Sequence, residues 1–494
     1  MEVFFIRAAQ LLLSLSVLVF VHELGHFLFA RLFNVRVEKF YLFFNPKKSL
    51  VRAKKINGRW YIKFFANNVP ANERPKRDED GDIITNAKGQ AAMEQIPFDE
   101  LPENDWRKYP ESTEWGIGWL PLGGYCKIAG MVDESMDTTA LASEPKHWEY
   151  RSRPGWQRLL VILGGVFFNL IFAAMIYIGI LFSVGNEYIP VQNAKYGLEF
   201  SETMQRFGFQ NGDNILTING EPAGDIANII EQTLISGRRN IVVTRGDEVV
   251  EIELPADFSQ QILAANDRHL ISIRYPFVIG KVLAGTPAEK AKLQAGDSII
   301  GINKQPMFTR QDIVGELSRL KDTTAEIEFV RGGKIMITQL AIDEDGRIGV
   351  LLQPRDNFIH VNRVEFGFFQ AIPAGITMGW NTLTSYVRQF RIIFTREGAQ
   401  HIGGFATIGS FFPASWNWLH FWMTTALISI VLAFMNVLPI PALDGGHVMF
   451  VLYEMITRRK PSQRFMEIAQ TVGFFLLLAL LLFANGNDIV RLFR

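Results

Sequence analysis

The chain of 494 residues has one cysteine, Cys126. A disulfide within the chain is therefore impossible, and a structural zinc site built from thiolates has nothing to rest on. An excess of either charge is missing too: 50 Lys and Arg face 50 Asp and Glu. There is no basic domain or tail, so nucleic acid is excluded as an expected partner. What the chain does have is apolar. Hydrophobic residues make up 48%, with 40 Phe, high for a soluble protein and diluted for one lying wholly in lipid. Membrane spans joined to sizeable soluble parts account for that mixture.

A bilayer core takes about 20 mostly apolar residues per helix. Four stretches qualify: residues 8–33, 159–184, 416–438 and the shorter 468–483. The first does not read as a cleaved signal peptide, because Glu2 and a lone Arg7 precede it, the run is too long, and no small-residue cleavage site follows. Basic residues cluster after the first span (Arg31, Arg36, Lys39, Lys47, Lys48), before the second (Arg151, Arg153, Arg158) and between the third and fourth (Arg458, Arg459, Lys460, Arg464). With four spans these clusters fall on one side, which the positive-inside rule makes cytoplasmic. Both termini and the segment 185–415 then lie outside. Within 357–415, the aromatic and Gly/Pro-broken stretch 367–394 reads as an amphipathic helix at the membrane surface.

The exported segment contains a repeat. GDNILTIN at 212–219 and GDSIIGIN at 296–303 are 84 residues apart, and each precedes a helical stretch and a β-rich run. A period this long means two small α+β domains, at 185–268 and 269–356. GTPAEKAKLQAGDSIIGINKQP, residues 285–306, resembles the PDZ signature, and the first copy resembles a divergent PDZ domain. That likeness implies capture of peptide C-termini by strand addition, with Val278–Val282 as the edge strand of the second copy.

FVHELGHFLFA, residues 20–30, places His22, Glu23 and His26 inside the first apolar run. A charge at the centre of a lone membrane helix costs about 2.5–3.5 kcal/mol. Positions i and i+4 share a helix face, so both imidazoles can point at one metal ion with Glu23 beside it. The bland alternative is interhelical hydrogen bonding by the histidines. Catalytic zinc usually takes three protein ligands and leaves one position open. The best source of a third is NVLPIPALDGGHVMF, residues 436–450, where Pro439 and Pro441 unwind the end of the third span. Asp444 on the following turn is either a ligand or a helix N-cap.

HELGH early and NVLPIPALDGGH late together resemble the site-2 protease family of intramembrane zinc metalloproteases. The resemblance implies that His22, His26 and Asp444 bind one Zn2+ and that Glu23 is the general base. It links Asn436 and Pro439 to substrate accommodation, and His447 matches the family's Gly-Gly-His ending. EWGIGWLPLGGYCKIAGM, residues 114–131, resembles the family's membrane-associated β-hairpin, whose Gly123, Gly124 and Tyr125 would meet substrate. HIGGFATIGSFF, 401–412, resembles a further family segment, with Gly404 where the family has proline. Tandem PDZ domains match the RseP-like branch, which clears anti-sigma factors and signal-peptide remnants.

The expected fold is therefore a polytopic α-helical membrane protein of four transmembrane helices, with a membrane-associated β-hairpin and two extracytoplasmic PDZ-like domains. The expected divisions are 1–33, 34–158 with a polar insert at 67–113 read as a solvated loop, 159–184, the two PDZ-like domains, 357–415, 416–457 and 464–494. The implied substrates are single-span proteins of the bacterial inner membrane, cut toward its cytoplasmic side, with the PDZ domains periplasmic as a gate. The competing readings are a non-catalytic scaffold that captures peptides, and a metalloprotease acting on misfolded membrane proteins outside the lipid.

Overall fold

The computed structural model describes residues 2–68, 73–75, 93–96, 100–103, 105–121, 123–131, 145–226, 229, 232, 233, 239–265, 267, 270–390, 393, 395, 398, 399 and 402–493. The chain divides into two compact units: residues 1–181, 368–386 and 402–494 form one, and 182–367 with 387–401 the other.

The first unit holds seven helices among the described residues: α1 (Glu2–Leu32), α2 (Gly155–Ser183), α3 (Phe368–Phe390), α4 (Phe405–Ser410), α5 (Trp418–Val437), α6 (Asp444–Thr457) and α7 (Gln463–Leu492). Four of them, α1, α2, α5 and α7, are long and apolar enough to cross a membrane. Along α1 the buried positions are Gln10, Ser14, Leu18, His22, Gly25, His26 and Ala30. That near-fourfold spacing is one helix face, turned inward while the rest stays apolar and exposed. α7 runs well past the apolar stretch 468–483 because its polar end has partners. The Asp488 carboxylate accepts the backbone N–H of Ala406 and Thr407, and Asn485 accepts that of Phe405, at the start of α4.

α3, which covers most of the stretch read as a surface helix, contacts α2 and α5. Gly375 packs against Ile178 of α2, Gly379 against the Tyr177 ring, and the Tyr386 ring sits 5.6 Å from Phe434 of α5. Gly375 lets the α3 backbone approach α2 closely at Ile178, where a Cβ would collide.

Five strands form one sheet: β1 (Val37–Leu42), β2 (Lys48–Ile56), β3 (Arg59–Asn67), β4 (Glu114–Ile117) and β5 (Tyr125–Ile128), in the order β3-β2-β4-β1-β5. The hairpin expected over 114–131 does not form. Its two strands lie on either side of β1, β4 parallel to it and β5 antiparallel. After β4 the chain runs past the end of β1 at Gly118, which lies against the carbonyls of Phe43 and Phe44, where a Cβ would collide. VEKFYL is itself an interior strand, with Phe40 and Tyr41 buried. The hairpin that does form joins β2 to β3 through Asn57 and Gly58, both at positive φ, the Asn-Gly turn that favours tight hairpins. Much of the polar insert 67–113 lies outside the described residues. Its end is no solvated loop: Trp106 is 3% exposed, its carbonyl accepts from Lys54 Nζ, and its ring faces the Arg52 guanidinium.

Among the described residues, the second unit holds two larger sheets with separate cores and two two-stranded sheets, Leu198–Phe200 with Ile271–Ile273 and Asn186–Tyr188 with Asn362–Val364. In the first copy, Asn214–Ile218 pairs with Glu221–Pro222 and Asn240–Arg245, which pairs with Glu248–Glu253. The helical stretch expected near 225–236 lies largely outside the described residues. In the second, the order is Lys334–Ala341, Thr324–Arg331, Ser298–Ile302, Phe277–Val282 and Val350–Leu352. Val278–Val282 is thus an interior strand, not the edge. Gly346 and Gly349, both at positive φ, turn the chain so that Val350–Leu352 takes the edge.

The repeated Gly-Asp has a physical reason beyond a turn. Asp213 and Asp297 are buried, each accepts a backbone N–H three residues back (Gln210, Gln294), and each receives an arginine from a later strand. Arg245 reaches Asp213 at 2.8 Å and Arg331 reaches Asp297 at 2.6 Å. A buried carboxylate must be paired and hydrogen-bonded, and both copies solve that in the same way.

Candidate metal centre

α1 and α2 cross at Gly25 and Gly164, so closely that a Cβ on either would enter the other's backbone. This brings the inward face of α1 onto α2. Gly165 lies directly under the imidazoles: a Cβ there would sit 2.5 Å from His22 Cε1 and 2.6 Å from His26 Nε2.

The third side chain arrives from the other end of the chain. α5 stops at Val437, before Pro439 and Pro441 remove two backbone donors. Ala442 then takes φ of 77°, and α6 begins at Asp444 with Leu443 as its N-cap. Asp444 is therefore not the cap, and its side chain is available for other work. Gly445 and Gly446 pack against the carbonyls of Leu438 and Ile440, which folds the turn back on itself.

His22 Nε2 lies 3.1 Å from Asp444 Oδ2, His26 Nε2 3.5 Å from the same oxygen, and the two Nε2 atoms 3.2 Å apart. Among the described residues, this is the one cluster of His, Cys, Asp or Glu whose ligand atoms converge, all within 4.8 Å.

The other ring nitrogens decide what this cluster is. His26 Nδ1 lies 2.9 Å from the Val161 carbonyl, which can only accept, so Nδ1 carries the proton and Nε2 keeps a lone pair. His22 Nδ1 lies 3.1 Å from the Asn169 side-chain amide, while Asn169 Oδ1 is buried without a hydrogen-bond partner. Rotating that amide, a choice set by hydrogen bonding, lets Oδ1 accept from Nδ1–H and again leaves Nε2 as a lone pair. Asp444 Oδ2 is likewise buried with no hydrogen bond of proper geometry. Three acceptors that face one another with no proton between them fit a cation, and two imidazoles with one carboxylate suit zinc.

Glu23 is held by the backbone of β5, accepting the Cys126 N–H. Gly124 lies beside it, a Cβ there being 3.6 Å from Glu23 Cγ. Tyr125 turns into the sheet instead, its hydroxyl donating to Asn45 Oδ1 at 2.9 Å and its ring stacked on Tyr41. Gly123, at φ 150°, packs on the Phe44 ring. Asn436 Nδ2 comes within 3.4 Å of His22 Nε2, at the edge of the cluster. Pro439 is exposed, and His447 lies outside the cluster, 3.3 Å from Gln470 of α7.

Sequence reading missed Asn169 and Gly165. The signal was present, since a lone Asn in the apolar run of residues 159–184, one helical turn after a glycine, is as costly in lipid as HELGH and calls for a partner.

The model of peptidase family M50 matches residues 10–80 and 91–480. Similar proteins include one from Ralstonia nicotianae that carries a provisional zinc metalloprotease name, 24% identical over 97% of each chain. Another is the regulator of sigma E protease of Haemophilus influenzae, 25% identical over 78% of this chain and 89% of the relative. Among solved structures, the PDZ domain of an SdrC-like protein from Listeria monocytogenes is 25% identical over 17% of this chain and 94% of its own, with a TM-score of 0.15. The family match covers almost the whole chain, and the chain belongs to peptidase family M50, the zinc metalloendopeptidases of the site-2 protease type.

Proposed function

We propose that this zinc metalloprotease cuts peptide bonds within the membrane-spanning segments of single-span proteins, in the bacterial inner membrane. The observation that carries the proposal is the convergence of His22, His26 and Asp444 on helices that lie in or against membrane spans. These three residues would hold one zinc ion per chain. Zinc, when bound, polarises a carbonyl and lowers the pKa of its water to about 7.

The chain's own groups do the rest. Glu23, fixed by the Cys126 N–H, takes a proton from the attacking water and returns it to the leaving amine. Val161 and Asn169 keep both imidazoles in the tautomer that faces inward. A substrate helix hides its peptide bonds in its own hydrogen bonds and must unwind before it can be cut. β5 is an edge strand on the Glu23 side of the sheet. An extended substrate segment would add to it, with Gly123 and Gly124 leaving room for a second backbone and the Tyr125–Asn45 bond holding the strand still. Asn436 would donate its amide to the substrate backbone, and Pro439 keeps the neighbouring chain unwound.

By the positive-inside rule, the basic clusters support an orientation in which the His22–Glu23–His26 end of α1 would face the cytoplasm and the two PDZ-like domains would lie outside. There they would sample peptide C-termini or exclude bulky exported domains. Substrates of the anti-sigma-factor or signal-peptide-remnant type fit that arrangement, and the sigma E regulator among the relatives agrees with it.

The test is purification in detergent, metal analysis, and incubation with a panel of single-span peptides. The proposal expects cuts inside the span that a chelator stops and zinc restores. Cleavage confined to segments outside the span would defeat the intramembrane reading.

A further inference from the structure

The β2–β3 hairpin carries two features that peptide hydrolysis does not use. The first is charge: between Phe44 and Asn67 there are seven Lys and Arg and no Asp or Glu. Arg52 and Lys54 are buried, while Lys47, Lys48, Lys55, Arg59 and Lys63 are exposed. The second is apolar exposure. Trp60 is 54% exposed, Ile62 56%, Phe64 67% and Phe65 76%. Consecutive positions of a strand face opposite ways, so β3 is greasy on both faces. Leu50, Phe65 and Trp119 also line an open cavity of about 340 Å³ whose rim carries Lys47 and Lys48. A strand like this, in water at a sheet edge, is an aggregation hazard.

The depth of the sheet resolves the hazard. Phe20 and Phe27 of α1 pack on Phe40 at 5.7 Å, and Phe27 packs on Trp115 at 5.0 Å. At 1.5 Å per residue, these contacts lie about 7–18 Å inside the end of the span at Leu32. The sheet is thus fixed beside the inner half of a membrane helix. β3 is its far edge, about 19 Å from β5 at the usual strand spacing, away from the His22–His26–Asp444 cluster.

We infer that the β2–β3 hairpin is a binding surface for anionic phospholipid. Trp60, Ile62, Phe64 and Phe65 enter the boundary between headgroups and acyl chains, where the open edge of β3 stays hydrated, and the Leu50–Phe65–Trp119 cavity takes part of a chain. Lys47, Lys48, Lys55 and Arg59 reach the phosphates at its margin, as basic–aromatic surfaces do at a charged leaflet. The inference rests on the chain lying in a membrane and not on its peptidase activity, so the two stand or fall separately.

Cys126 is the sole cysteine and is buried, so a thiol placed on β3 can be labelled selectively. Full-length Phe65→Cys carrying an environment-sensitive fluorophore is placed in zwitterionic nanodiscs and in nanodiscs containing phosphatidylglycerol, with Asn57→Cys at the hairpin turn as reference. The expected result is blue-shifted emission at 65 and shielding from aqueous iodide, stronger with the anionic lipid. Lys47→Glu with Lys48→Glu should remove the anionic dependence, each lysine accounting for about a fivefold preference. Label at 65 as open to iodide as label at 57 would overturn the inference. Shielding indifferent to phosphatidylglycerol would overturn its anionic part.

Discussion

Gly473 of α7 is the most informative single position. Its missing side chain admits the Pro441 carbonyl, and a Cβ there would also come within 2.9 Å of Pro441 Cβ. Pro441 starts the turn that delivers Asp444 three residues later. One helical turn earlier, Gln470 contacts His447 just past Asp444, so α7 abuts this turn from both sides. Gly473→Ala must push the turn or the helix away by an ångström or more to restore contact distance. Overpacking of this kind costs about 1–3 kcal/mol. Metal-site distances tolerate only about 0.2 Å, so a shift of Asp444 relayed through the stiff Pro-Ala-Leu link should weaken zinc binding by about 10- to 100-fold, as for other mutations just outside a ligand set.

The control lies on the same helix. Gly486 has nothing within 4 Å of its would-be Cβ. Gly486→Ala should therefore raise stability by up to about 1 kcal/mol through helix propensity, with zinc affinity unchanged. Zinc affinity is read by competition with a chromophoric chelator on detergent-purified protein, alongside the thermal transition. If Gly473→Ala binds zinc as tightly as Gly486→Ala, then α7 does not hold the Asp444 turn and the reasoning fails.

Asn169→Ala should lower zinc affinity about 10- to 100-fold by releasing His22, and Asn169→Asp, which keeps an acceptor for Nδ1–H, should recover most of it; equal affinities in the chelator assay would refute the tautomer assignment. Gly165→Ala, with its Cβ against both imidazoles, should cost zinc binding more than Gly179→Ala, which meets nothing within 4 Å. Asp213→Ala leaves the partly buried Arg245 guanidinium without its carboxylate and the Gln210 N–H without its acceptor, so it should destabilise the first sheet of the second unit by about 1–3 kcal/mol while leaving zinc content alone. Calorimetry on the intact chain reads that loss.

Much of the candidate metal centre was legible because an apolar run makes polar residues conspicuous. His22, Glu23 and His26 stand out in an apolar run, and Asp444 follows two prolines that break another. Whether Asp444 caps its helix was not legible, since that depends on which residue takes the extended backbone before α6, and Leu443 does. The β1 strand was hidden for another reason. VEKFYL lies amid the lysines and arginines that follow the first span, so charge drew it into a cytoplasmic loop, and the insertion of a strand between β4 and β5 leaves no mark in either. The placement of α3 depends on Gly375, which reads as a break in an apolar pattern and lets the backbone approach α2 closely. The edge strand of the second repeat copy was misplaced because a later, three-residue strand, Val350–Leu352, adds beside Phe277–Val282, and so short a run gives little strand signal.

The most direct test is zinc stoichiometry with X-ray absorption at the zinc edge on four proteins: wild type, His26→Ala, Asp444→Ala and Glu23→Gln. The account predicts one zinc per wild-type chain with two imidazole nitrogens and a carboxylate oxygen. It predicts loss of zinc from both ligand variants, and a full complement in Glu23→Gln with turnover of a spanning peptide gone. Zinc held undiminished by Asp444→Ala, or a wild-type spectrum without imidazole, would contradict it.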